Sequence, residues 1–203
     1  MIRFIKHYAL EIYTVLAMGF IVGTAMMGEL SVIQKLVVID AFLFILHEWE
    51  ESHYPGGFVE MVAGMINVKV GDETKRASRI PAGILLLLLS IVPFVFHDVV
   101  MITMTVVTFG IIEGCVHTVG IRLFHRKSFY TPGMVTAWLE LVVSGLMLAW
   151  LIGNHLGQWY DYVFGPIIMI VFFGTLQKIM TLMVGINYSD MPKMVRKQWK
   201  KKD

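Results

Sequence analysis

Two histidine and glutamate pairs at helical spacing supply the donor atoms of a metal site. One is the run His47-Glu48-Trp49-Glu50-Glu51, and the other is Glu113 with His117. On a helix turning about 100° per residue, His47 and Glu51 share a face one turn apart, Glu50 lies beside them, and Asp40 lies two turns back on nearly the same line. Two imidazole nitrogens with one carboxylate suit a catalytic zinc ion that keeps a position open for water. The run is not a zincin signature, which needs a second histidine where this chain has Glu51. His47, Glu51 and His117 therefore read as the metal ligands, and Glu50 or Glu113 as the general base that takes a proton from water. His53 also completes Glu50-x-x-His53, a spacing used in di-iron bundles, but it falls where the helix should end.

The elements that must position these residues are membrane helices. Of 203 residues, 57% are hydrophobic and only 16% charged. Apolar stretches near the roughly 20 residues a helix needs to cross hydrocarbon recur at about 8–28, 31–50, 80–96, 98–124, 133–153 and 162–186. The expected fold is all-α, a single membrane domain of about six transmembrane helices spanning 1–203. The third stretch is the shortest, and Pro93 gives it a place to stop early or break. The first contains Glu11 and has no small-residue cleavage pattern behind it, so it reads as an anchor. Between the second and third spans, residues 56–68 form a mildly amphipathic segment that lies at the interface and can cover the mouth of a site. The single Cys115 excludes an intrachain disulfide and reads as a small buried residue.

Cations set the expected orientation, because Lys and Arg concentrate in cytoplasmic loops. They cluster at the amino end (Arg3, Lys6), between spans two and three (Lys69, Lys75, Arg76, Arg79), between spans four and five (Arg122, Arg126, Lys127), and from Lys193 to Lys202. Both termini then face the cytoplasm, leaving Lys35 in an outer loop and Lys178 within a span. The basic tail 193–203 follows a last span and suits anionic lipid head groups rather than nucleic acid.

This topology sends polar groups from five helices to one half of the bilayer. His47 and His117 come within one or two turns of equal depth. Span five starts in the same leaflet at Tyr130-Thr131-Pro132-Gly133 and continues inward through Thr136, Glu140 and Ser144, while His7, Glu11 and Thr14 on span one and Gln177, Lys178 and Thr181 on span six add further stripes. An ionisable group inside a span costs about 2.5–3.5 kcal/mol on insertion scales. Glu11, Asp40, Glu113 and Glu140 face only Lys178 as an intramembrane cation. Protonation, water or a bound metal must offset the excess. Asp40, Thr131, Glu140 and Lys178 are the expected supporting or substrate-facing residues, with a Glu140–Lys178 pair as an alternative for those two. His97 and His155 fall on the opposite side and His125 on a loop, so all three are excluded.

Three separated motifs in order carry a family resemblance. His47-x-x-Glu50-Glu51 with Pro55-Gly56-Gly57-Phe58, the pair 113–117, and Tyr130-Thr131-Pro132-Gly133-Met134-Val135-Thr136-Ala137 together resemble the small bacterial membrane proteins named for their HXXEE motif, over roughly residues 35–140. The resemblance implies a multi-pass fold and functional roles for His47, Glu50, Glu51 and His117. In that family the position of Glu113 is often Asn, so no ligand role is implied there. It implies no particular activity.

The expected function is a metal-dependent hydrolase of the cell membrane acting on a lipid or lipid-linked substrate near the cytoplasmic leaflet, with zinc favoured over iron. Alternatives are a di-iron oxidoreductase using the same residues, a proton- or cation-coupled carrier running through Asp40, Glu113, Glu140 and Lys178, and a structural subunit whose polar stripes join helices. No nucleotide loop, haem attachment motif or serine elbow is present. No organic cofactor is expected.

Overall fold

The computed structural model describes residues 2–65, 67–123, 129–183 and 185–199. In chain order its helices are α1 (Ile2–His7), α2 (Ala9–Ala25), α3 (Val32–Ser52), α4 (Phe58–Met65), α5 (Asp72–Val95), α6 (Val100–Leu123), α7 (Met134–Gly153), α8 (Asp161–Met183) and α9 (Met191–Trp199). No strand occurs among the described residues. Helices stand at all six apolar stretches, and α5 to α8 are long and apolar enough to cross a membrane by length and composition. Of the other two, α2 has 17 residues, and α3 has 21 but is broken in apolarity by Lys35, Asp40 and its glutamates. Large apolar side chains cover the outside, among them Val15, Val142, Ile170 and Val171. The protein is an integral membrane helical bundle.

The third long helix departs from expectation. It begins at Asp72 rather than near residue 80, runs 24 residues, and continues through both Pro81 and Pro93. A hydropathy window finds the apolar span, whereas the helix also includes a polar entry. Asp72 and Glu73 sit in its first turn, where carboxylates favour the positive end of the helix dipole. This entry brings Lys75, Arg76 and Arg79 into α5 itself. Its Lys75 Nζ lies 2.6 Å from Glu60 Oε1 of α4, tethering that short helix to α5.

Helix α3 is fixed at both ends. Ser31 Oγ accepts from Gln34 N at 3.2 Å while Gln34 Oε1 accepts from Ser31 N at 3.0 Å, a reciprocal box that satisfies two otherwise orphaned donors. At the other end Gly56 takes φ +73° and donates its N–H to Glu50 O at 3.0 Å. Phe44 on α3 packs on Phe109 of α6 with ring centroids 4.7 Å apart. Leu86, Met147, Leu151 and Met169 complete a buried core contributed by α5, α7 and α8.

Helix α6 lies against α7 and α8 because small residues let the backbones approach. A Cβ on Gly110 would meet Ser144 Oγ and would stand 3.0 Å from Glu140 O; one on Gly114 would stand 2.9 Å from Leu141 Cβ. Tight backbone approach of this kind is how helices associate where lipid removes the hydrophobic driving force. The same geometry turns Cys115 outward. It is exposed on the lipid side of α6, not buried as its composition suggests, since the inward positions of that turn are taken by Glu113, Gly114 and His117.

Candidate metal site

The ends of α3 and α6 meet with no gap in depth, and the two histidine rings lie perpendicular with centroids 5.1 Å apart. His47 is 2% exposed and His117 1%. Glu51 Oε1 lies 3.5 Å from His47 Nε2 and 3.2 Å from His117 Nε2. Glu113 Oε2 lies 3.8 Å and 3.6 Å from the same two nitrogens. The donor atoms of His47, Glu113 and His117 all fall within 4.8 Å of one another, close enough to hold a metal ion. Ligand atoms about 2.0–2.1 Å from a tetrahedral zinc stand roughly 3.3–3.5 Å apart, and the observed spacing falls around that range. His117 Nε2 is buried and makes no hydrogen bond of good geometry among the described residues, although both carboxylates stand beside it.

The opposite ring nitrogens explain how the Nε2 atoms come to face the carboxylates. His47 Nδ1 lies 3.1 Å from Gly133 O and 3.0 Å from Thr136 Oγ1. A carbonyl only accepts, so Nδ1 carries the proton and, in the neutral ring, Nε2 presents its lone pair. Thr131 does the same for the other histidine. Its hydroxyl donates to His117 O at 3.3 Å and thus leaves a lone pair toward His117 Nδ1 at 3.2 Å. Fixing the tautomer from the far nitrogen is the usual support of a metal-bound histidine.

Gly133 is the residue around which this is built. It precedes α7 with φ +88°, and a Cβ there would stand 2.7 Å from Glu51 Cγ, 2.7 Å from His117 Cε1 and 2.9 Å from His47 Cε1. Only glycine fits. A glycine N-cap has no side-chain oxygen for the first amides of its helix, and Glu50 supplies one from α3. Glu50 Oε2 accepts from Thr136 N at 3.0 Å and Thr136 Oγ1 at 2.6 Å, and Oε1 accepts from Val135 N at 3.3 Å and Tyr130 OH at 2.8 Å. Burial and the adjacent Glu50 carboxylate hold the Tyr130 phenol above its usual range. Glu50 is thus turned away from the imidazole pair and committed to the start of α7.

One group that the sequence did not single out completes the site. Glu48 is 7% exposed and, with Arg79 of α5 and Gln177 of α8, lines a cavity of about 100 Å³ beside His47, Glu51 and Glu113. Glu48 stands 100° round α3 from His47, and only the packing of α5 against that side reveals its place.

Other expected residues sit apart. Asp40 is 3% and Glu140 1% exposed, and Asp40 Oδ1 and both Glu140 oxygens lack hydrogen-bond partners among the described residues. Lys178 is exposed and forms no ion pair with Glu140 among the described residues, which removes the alternative of a Glu140–Lys178 pair. On α2, Glu11 is half-buried, while Thr14 Oγ1 accepts from Trp49 Nε1 at 2.8 Å. His53 follows the end of α3 and packs on Trp49 with centroids 4.9 Å apart, away from the site. His97 lies 3.3 Å from Asp98 at the far end. His125, Arg126, Lys127 and tail residues 200–203 lie outside the described residues.

A helical membrane bundle whose two imidazoles converge with carboxylates at one end defines the class of the protein. The family described as "Protein of unknown function with HXXEE motif" matches residues 38–148, more than half of the chain, and the chain belongs to it. The matched region contains every residue that holds or buttresses the His47–His117 pair. No curated protein and no solved structure matches.

Proposed function

We propose that the protein is a metal-dependent hydrolase of a lipid or lipid-linked substrate, working at the cytoplasmic leaflet of the cell membrane. The observation that carries the reading is the pair of Nε2 lone pairs, set by Gly133 and Thr131 and aimed at the space bordered by Glu51 and Glu113. His47, His117 and Glu51 are the assigned ligands. A divalent ion there supplies Lewis acidity to a carbonyl or phosphoryl oxygen. Glu113, at the longer distances, is assigned as general base: it takes a proton from water as the water oxygen bonds to carbon or phosphorus, and returns it to the departing alkoxide. Glu50, with four donors on its oxygens, is left out of the chemistry.

The same observation favours one ion over a di-iron pair, because Glu50 and His53 both lie off the cluster. Zinc fits two histidines and a carboxylate. Elemental mass spectrometry of detergent-purified protein tests the reading: about one zinc per chain is expected, with loss in folded His47→Ala and His117→Ala variants. Absence of metal after reconstitution with zinc and with iron rejects it, and about two irons per chain replaces it with oxygen chemistry.

A further inference from the structure

The metal-side cavity shares a wall with a larger chamber. That chamber, about 280 Å³ in volume, runs between α4, α6 and α8 and is lined by Phe58, Val62, Ala63, Val116, Phe173 and Met180 among others. Phe58, Val59, Ser78, Val116, Phe173, Gln177 and Met180 border both spaces. At about 30 Å³ per water-sized group, the chamber holds on the order of nine chain atoms. That volume is too small for the two chains of an ordinary bilayer lipid and suits part of one.

The smaller cavity has one arginine or lysine in its lining among the described residues. Arg79 is half-buried and lines this cavity, and its guanidinium makes one long hydrogen bond, Nη2 to Ser52 O at 3.5 Å. No carboxylate lies within ion-pair distance of it among the described residues. A guanidinium has five N–H donors in a planar fork suited to phosphate or carboxylate, and this single bond leaves most of them unpaired among the described residues. Glu48, Glu51 and Glu113 line the same cavity and repel an anion, so Arg79 and a cation bound by the histidine pair are what would attract one.

We propose that the two spaces form one binding site for a single-chain amphiphile with an anionic head group, its chain in the chamber under α4 and its head between Arg79 and the metal ligands. The proposal rests on the hydrolase reading for what happens to that head, but the binding itself does not. Arg79 is the specificity-determining residue, Gln177 lies where the head joins the chain, and α4 is the cover beneath which the chain lies.

The test uses photoreactive alkyl probes of one chain length carrying a diazirine near the tail, one ending in phosphate and one in an uncharged hydroxyl, applied to the detergent-purified full chain. Metal content is measured on the same preparation. Saturable labelling of residues 58–63 and 173–180 by the phosphate probe, at least tenfold above the hydroxyl probe, is expected. Arg79→Ala should remove that preference, Arg79→Lys should restore part of it, and Ala63→Trp should block both probes. Equal labelling by the two probes in the wild type, or labelling spread over the outward face at 167–171, overturns the proposal and indicates surface lipid only. Protein that keeps its metal but shows no preference rejects this site and leaves the hydrolase reading standing; selective labelling without any metal keeps the site and rejects the hydrolase.

Discussion

Glu50 and Glu51 are adjacent glutamates with different tasks. Measured from His47, they lie about 60° to one side and 40° to the other on the helix, so spacing alone admits either as ligand or base. The start of α7 decides between them, by occupying Glu50 with two amides and two hydroxyls. Hydrogen bonds to a charged group contribute about 1.5–3 kcal/mol each. Glu50→Gln should therefore lower the thermal midpoint in detergent while the folded fraction keeps its metal, and Glu51→Gln should do the reverse. Thr131→Val keeps the shape and removes the acceptor for His117 Nδ1, so a chelator competition should show metal affinity lower by about 10–100-fold. His47, Glu51, Glu113 and His117 were legible from sequence because helical periodicity alone puts them on two facing stripes. The tasks of Gly133, Thr136 and Arg79 were not, and Glu48 drew no notice at all, because their importance comes from which helix lies opposite.

At the scale of elements, six helix positions could be read from apolar stretches, yet α5 starts eight residues before its apolar part, and Pro81 and Pro93 leave it continuous. Hydropathy reports where lipid is tolerated, not where backbone hydrogen bonding begins. The α6–α7 approach depends on Gly110 and Gly114, and α6 carries both Glu113 and His117. Gly110→Val should cost about 1–3 kcal/mol by overpacking and should also release metal, observable as a paired loss in thermal unfolding and elemental analysis. Helix α4 is held by the Glu60–Lys75 pair, and the Lys75 ammonium holds the Glu60 carboxyl below its ordinary value of 4.5. A depressed carboxyl pKa gives stability that is present above the unfolded value and lost as pH falls through the folded one. Glu60 is half exposed, so the global effect is small. Hydrogen exchange in 58–65 should nevertheless rise below about pH 4.5 and rise at neutral pH in Glu60→Gln.

Taken whole, the molecule concentrates its polar interior at one end, the end that carries the basic α5 entry and the amphipathic α9, with Lys193 and Arg196 exposed and Met194 half-buried. With that end in the cytoplasm, a cysteine at Gly71 should react with an impermeant maleimide only in inverted vesicles, and one at Gln158 only in right-side-out vesicles, both in a Cys115→Ser background. Labelling with the opposite sidedness would move the site to the outer leaflet.

The start of α7 also imposes an order on biogenesis. Helices α3 and α6 hold the two imidazoles, but the carbonyl and hydroxyls that fix their tautomers belong to residues 131–136. During synthesis both histidines can already be in the membrane while the peptide that orients them is still in the ribosome. A nascent chain stalled before α7 inserts has every proposed ligand and no properly oriented site. Under the proposed function metal loading is then a late step, and an insertion defect in α7 alone should yield a chain that reaches the bilayer empty.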